Sequence, residues 1–266
     1  MIERPDLDAY FERISYQGQC TPSAATLAAL QLAHATHIPF ENIDVLLGKP
    51  IQLDLESLQT KLVVARRGGY CFEQNTLFAA VLEALGFPVT LLLARVRYRT
   101  STVLPRTHLV LRVEVEGASW IADVGFGGEG LVQPLPLRAN QVYQHGAWQY
   151  RLTQEGSLWV LQSMSNGHWK DLYAFSEEPQ YAVDVEVANH YTSTHPETRF
   201  KKLLTVQLPQ LAQRTFLRNN ELLTETATET TSRTLTDDEV RQVLSEIFGI
   251  QLTPETHLIV PPPQTH

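Results

Sequence analysis

Cysteine is scarce in this chain: Cys20 and Cys71 are the only two in 266 residues. That number excludes a disulfide scaffold and a zinc–cysteine site and leaves room for one disulfide at most. A surplus of positive charge is missing too. Lys and Arg number 21 against 29 Asp and Glu, a formal net charge of −8, which argues against a general nucleic-acid or membrane-surface role. No apolar run reaches membrane-spanning length, since the longest candidate, Thr76 to Ala94, is broken by Glu83, Gly86 and Pro88. Met1-Ile2-Glu3-Arg4-Pro5-Asp6 lacks the basic start and apolar stretch of a signal peptide. With so little cysteine, the expected location is the reducing cytoplasm. There are nine histidines, but His34 and His37 stand three apart without a convergent ligand set, so no metal is expected. Internal repeats and low-complexity tracts are also absent.

What is present is an ordinary globular composition, 43% hydrophobic and 19% charged, long enough for two or three modules. Residues 1–86 read as helical. Leu7, Tyr10, Phe11 and Ile14 share one helical face, Thr21-Pro22-Ser23 opens a second helix over Ala24 to Thr36, and Asp54 to Arg66 forms a third segment. From about residue 87 the period changes to two. Leu91, Leu93 and Val96, the alternation over 107–125, and the runs Gln149 to Thr153 and Leu158 to Met164 read as strands. Glu155-Gly156 and Asn166-Gly167 mark hairpins, and this region, 87–187, reads as a meander closing toward a barrel. Residues 188–266 read as mixed α/β. A connecting helix covers Asp184 to Tyr191, short strands lie between 200 and 235, a capped helix runs from Thr236 to Phe248-Gly249, and Pro261-Pro262-Pro263 forms an extended tail.

The chemistry centres on Arg66-Arg67-Gly68-Gly69-Tyr70-Cys71-Phe72-Glu73-Gln74-Asn75. The apolar positions that follow recur at helical spacing and stop at Gly86-Phe87-Pro88, so Cys71 belongs in the first turn of a buried helix. Free N–H groups and the positive dipole end favour a thiolate there. The alternative is an inert structural cysteine. A hairpin turning at Glu116-Gly117 places Leu109, Leu111 and Val113 opposite Val124, Ala122 and Trp120, a uniformly apolar face; a one-residue slip would scramble it. On the other face His108 lies diagonally across from Asp123, roughly 7–8 Å at Cα, within reach of an imidazole and a carboxylate. Such a pair fixes the tautomer and stabilises the imidazolium.

These stretches resemble the arylamine N-acetyltransferases in their bacterial form. The resemblance rests on Leu7-Asp8-Ala9-Tyr10-Phe11-Glu12-Arg13-Ile14, Pro39-Phe40-Glu41-Asn42-Ile43-Asp44, Arg67 to Asn75, Thr107-His108-Leu109-Val110-Leu111 and Trp120-Ile121-Ala122-Asp123-Val124-Gly125-Phe126-Gly127. Asn189-His190-Tyr191 with Ser193-Thr194-His195-Pro196 adds a thinner match in the last third. It implies an α+β fold of three modules: a helical bundle, an antiparallel β-barrel and an α/β lid around a cysteine-protease-like core. It further implies a Cys71–His108–Asp123 triad, acetyl-coenzyme A as donor, and arylamines, arylhydrazines or N-hydroxyarylamines as acceptors, in a monomer or homo-oligomer.

Around that triad, Phe126 offers an aromatic wall, and Gly127, Gly128 and Thr107 are candidate substrate or cofactor contacts. Arg95, Arg97 and Arg99 alternate on a strand near Arg106 and form either a phosphate-binding cluster or a solvated face. Glu41 and Arg67 are read as a buried supporting pair, and Asn75 as structural. The same triad would equally serve an amide synthase, a cysteine hydrolase or a transglutaminase-like enzyme, and a binding or scaffold protein is the alternative without catalysis.

Overall fold

The computed structural model describes residues 4–100, 102–253, 256 and 258; the Pro261–Pro263 tail lies outside them. α1 (Leu7–Arg13) is capped by Asp6 and α2 (Ala24–His37) by Ser23, whose side chains accept from the N–H groups of Ala9 and Thr26. Next come β1 (Phe40–Glu41), α3 (Ile43–Leu46), α4 (Leu55–Leu58), which passes into a π-helical turn at Gln59–Val64, and α5 (Cys71–Ala84). The two-residue strand β1 departs from the all-helical reading of this region. Its partners are Gln207 and Val206, too far along the chain for local periodicity to reveal. Around α5, Cys71 to Asn75 are all buried, as are Leu77 to Ala79, Val81 and Leu82; helix and barrel enclose this segment from several sides.

Eight antiparallel strands follow: β2 (Val89–Val96), β3 (Arg106–Val115), β4 (Ala118–Ala122), β5 (Leu135–Pro136), β6 (Val142–His145), β7 (Trp148–Glu155), β8 (Leu158–Ser165) and β9 (His168–Phe175). Their order, β5-β4-β3-β2-β9-β8-β7-β6, makes a nearly closed barrel. Leu111 pairs with Ala122 and Val113 with Trp120, the register expected from the apolar face. Its turn, Glu116-Gly117, has φ of 53° and 73°, as two-residue hairpins of this hand require. The ladder ends at Ala122, however, so Leu109 and Val124 do not pair; the Val124 N–H donates instead to Asn75 Oδ1 at 3.0 Å. The β7–β8 hairpin turns at Gly156-Ser157 rather than Glu155-Gly156, because Glu155 still pairs with Leu158.

The remaining elements are α6 (Ala182–Thr194), a 3-10 turn at Arg199–Lys201, β10 (Thr205–Pro209), β11 (Gln213–Arg218), β12 (Glu221–Thr226), β13 (Thr230–Thr234) and α7 (Asp237–Glu246). α6 is longer than expected, and α7 stops before Phe248. The second sheet has the order β1-β10-β11-β12-β13. Val240, Val243 and Leu244 of α7 pack in one core with Leu204, Val206 and Leu217. The expected order of helices, antiparallel barrel and α/β region is the observed one. Among the described residues no helix is long and apolar enough to cross a membrane.

β3 joins the parts. Leu111 and Val113 pack with the helices, whereas Val110 faces the barrel interior with Leu92 and Ile121. A strand buried on both faces is a rigid mount for the histidine near its start.

Candidate active site

Cys71 is the first residue of α5. The helix start is pinned by Glu73, whose Oε2 accepts from the Tyr70 N–H at 3.1 Å, and by Gln74, which donates to the Gly69 carbonyl at 2.7 Å. Tyr70 donates its hydroxyl to the Asn189 side chain of α6, and so ties this turn to the C-terminal part of the chain. The Cys71 thiol meets the Thr107 carbonyl at 3.6 Å. Cys71 is buried and free and Cys20 is exposed and free, so they form no disulfide.

His108 Nε2 stands 2.8 Å from Asp123 Oδ2. Asp123 Oδ1 accepts from Asn75 Nδ2 and from the Gly125 N–H, both at 2.9 Å. A carboxylate with three donors stays ionised. Burial works against the charge, but His108, Asn75 and Gly125 together hold the Asp123 acid below the usual range. Nε2 therefore carries the proton given to Asp123, and the other ring nitrogen is left for the Cys71 sulfur. Burial likewise disfavours a charged His108, yet Asp123 and then Cys71 outweigh it and raise its pKa to about 10.

A raised imidazole stabilises the fold fully below its unfolded value, about pH 6.5, and loses that contribution as pH climbs through about 10. Asp123 behaves oppositely: its contribution is present above the unfolded carboxyl value and is lost in acid. Melting curves of the wild type and His108→Gln should thus converge as pH rises from about 6.5 toward 10. A constant gap would mean that the imidazolium is not the stabilising form.

The loop after Asp123 closes the site. A Cβ built on Gly125 would lie 2.6 Å from Cys71 Cα and 3.0 Å from its carbonyl oxygen, both backbone atoms that cannot swing aside. Gly125→Ala is expected to push the loop off α5 and lower kcat/KM about 100-fold. The check is steady-state kinetics beside far-ultraviolet circular dichroism; an effect under about threefold would show that the loop yields. Phe126 presents its ring edge-on to His108, centroids 5.2 Å apart, and packs on Tyr173.

Cys71, Thr107, His108 and Phe126 line one cavity of about 380 Å³, a size suited to a small ligand. Gly127 and Gly128 are not in its wall. Gly127, at φ 93°, sits against Gln207 and Phe40, and the Gly128 N–H donates to Gln207 Oε1 at 2.7 Å, so these two seat the loop on the second sheet. Aromatic side chains from distant segments complete the lining: Phe40, Phe200 and Phe216.

Beneath the site lies a buried charge network. Arg67 donates to Glu41 Oε1 through Nε at 3.0 Å and Nη2 at 2.6 Å, the expected pair, and Glu41 Oε2 accepts from the Ile43 N–H. The sequence reading missed Lys61, whose Nζ lies 2.7 Å from both Asp44 and Glu73. Lys61 closes the polar run Gln59-Thr60-Lys61, where a lysine looks like an ordinary solvated residue, and its partners Asp44 and Glu73 come from other elements, so no local signal announced it.

The arginines separate. β2 ends at Val96, so Arg97 and Arg99 lie beyond the strand, and Arg99 adopts φ 54°; Arg95, Arg97 and Arg99 therefore do not share a strand face. Arg97 pairs with Glu155 and Asp171, and Arg106 with Glu178. His34 is bound to the Tyr10 hydroxyl and Gln74. Among the described residues no three His, Cys, Asp or Glu side chains form a metal-holding group.

A sequence profile of the N-acetyltransferase family matches residues 23–257, which with this fold defines the class: an acyltransferase. The arylamine N-acetyltransferase of Escherichia coli K12 is 41% identical over 257 residues, covering 95% of this chain and 92% of that protein. Among solved structures, arylamine N-acetyltransferase of Nocardia farcinica superposes with a TM-score of 0.89 at 41% identity, over 93% of this chain and 90% of that one. The Mycobacterium marinum enzyme in complex with CoA gives 0.88 at 37% identity, over 92% and 93%. The chain belongs to the arylamine N-acetyltransferase family. Similarity runs through the C-terminal third as well, where the motifs alone were thin.

Proposed function

We propose that this enzyme moves an acetyl group from acetyl-coenzyme A to arylamines and arylhydrazines, and to the oxygen of N-hydroxyarylamines, through an acetyl-cysteine at Cys71. The observation that carries the reading is the contact of His108 with Asp123 at 2.8 Å beside a helix-start cysteine in one cavity. The Cys71 thiolate attacks the thioester carbonyl, the bond to the coenzyme sulfur breaks, and the proton on His108 goes to the departing thiolate. An amine then attacks the acetyl-cysteine, His108 takes its proton, and Cys71 leaves as thiolate. N–H groups at the start of α5 are the oxyanion donors at hand. Phe126 and Thr107 flank the acceptor, and the walls from the C-terminal sheet keep water from the acyl-enzyme. In this reading residues 1–86 supply the nucleophile, 87–187 its partners and 188–266 the lid.

Two-substrate initial rates test it. With acetyl-coenzyme A varied at several fixed arylamine concentrations, double-reciprocal lines should be parallel. Lines that intersect would mean direct transfer within a ternary complex and would sink the acetyl-enzyme.

A further inference from the structure

Positive charge gathers at the cavity in a way that acetyl transfer through Cys71 does not use. Arg199, from the 3-10 turn, and Arg218, the last residue of β11, both line it. Both are exposed, and among the described residues neither has a carboxylate partner; the neighbouring ion pairs belong to Lys202 and Arg214. The Arg199 guanidinium lies 5.3 Å from the Phe200 ring centre. Its pKa is lowered, by desolvation against the surrounding cavity wall and then by the like charges of Arg218 and Arg99. Arg99 stands over the Tyr98 ring at 4.9 Å and reaches Glu129 only at 3.9 Å; Glu129 already accepts the Tyr98 hydroxyl.

Arg99 has Glu129, and Glu197 at the same cavity is held by Lys202, but among the described residues Arg199 and Arg218 carry no carboxylate to offset them, a repulsion that an anion entering the cavity would relieve. The chain as a whole is acidic, at −8, so an anionic substrate needs a local positive field to approach. Arg97 and Arg106 do not provide it, being paired elsewhere. Arg199 and Arg218 come from the far end of the sequence, so no local motif announces them.

We propose that Arg199 and Arg218, with Arg99 beside them, form an anion-binding site at the acetyl-transfer cavity for a phosphate or carboxylate carried by a substrate. Two sources share that chemistry: the phosphates of coenzyme A and a ring carboxylate on the acceptor. Planar guanidinium forks bind either group bidentately. The inference rests on the ping-pong reading, in which kcat/KM for donor and acceptor are measured separately.

The test compares wild type with the Arg199→Gln/Arg218→Gln double variant on matched pairs. Acetyl-coenzyme A is set against acetyl-pantetheine, the same thioester without phosphates, and 4-aminobenzoate against 4-aminobenzamide. In the double variant one charged-to-neutral ratio of kcat/KM should fall about tenfold, and Arg→Lys replacements should restore part of it. A fall in the donor ratio assigns the site to phosphate; a fall in the acceptor ratio assigns it to carboxylate. In the wild type, added salt should depress that same ratio, an arm independent of any variant. Both ratios unchanged by substitution and by salt would overturn the site. Absence of an acetyl adduct on wild-type Cys71 with either donor would instead overturn the acetyl-cysteine reading.

Discussion

Replacing Asp123 by Asn should cut kcat/KM roughly 10³- to 10⁴-fold while leaving the fold intact. The geometry leaves an amide no good orientation. Asp123 Oδ2 takes the His108 Nε2 proton, and Oδ1 takes protons from both Asn75 and the Gly125 N–H. If the new amide nitrogen faces Asn75 and Gly125, three donors crowd together. If it faces His108, the ring must turn its lone pair toward it, and the proton moves to the nitrogen that serves Cys71. Either way the imidazolium loses the carboxylate that raises its pKa. The base then has the wrong tautomer, and the thiol lacks its cationic neighbour. Steady-state kinetics and the rate of iodoacetamide alkylation at Cys71 should fall together in this variant. Activity within about tenfold of wild type would show that Asp123 does not orient the ring.

The second large effect is on stability. Lys61→Met should destabilise the enzyme by about 3–5 kcal/mol, a fall in Tm of around 10 °C for a chain of this size. Lys61 Nζ is the shared partner of Asp44 and Glu73, and the Glu73 side chain is only 3% exposed. Burial already raises the Glu73 acid above its ordinary value, with Lys61 opposing the rise. Without Lys61 its folded pKa climbs further, so the variant gains stability as pH falls and loses it as pH rises. Glu73→Gln added to Lys61→Met should recover part of the loss, because the two residues share one interaction. A fall in Tm of only about 2 °C at neutral pH would mean that water or Arg67 takes over the neutralising role.

How much of this was legible in the sequence follows from the reach of each interaction. The position of Cys71 at a helix start depended on glycines before it and apolar spacing after it, all within twenty residues. The His108–Asp123 diagonal depended on one hairpin, whose turn residues and two-residue period set the register. Contacts between segments far apart carried no such signal. β1 is a strand only because β10 lies beside it. Phe40, Phe200 and Phe216 look like ordinary core aromatics until the fold brings them to the cavity. Gly127 and Gly128 looked like ligand contacts because glycines near an active site often are, whereas Gln207 and Phe216 occupy the space against them. The arginine alternation failed for a local reason: the strand stops at Val96, before Arg97, and Arg99 takes a left-handed conformation.

The most direct test of the acetyl-cysteine is intact mass spectrometry of the enzyme after incubation with acetyl-coenzyme A and no acceptor. The expected result is one acetyl group, mapped to Cys71, discharged on addition of an arylamine and missing from Cys71→Ala. An unmodified protein that nevertheless transfers acetyl groups to the amine, or an adduct mapped to Cys20, would contradict it.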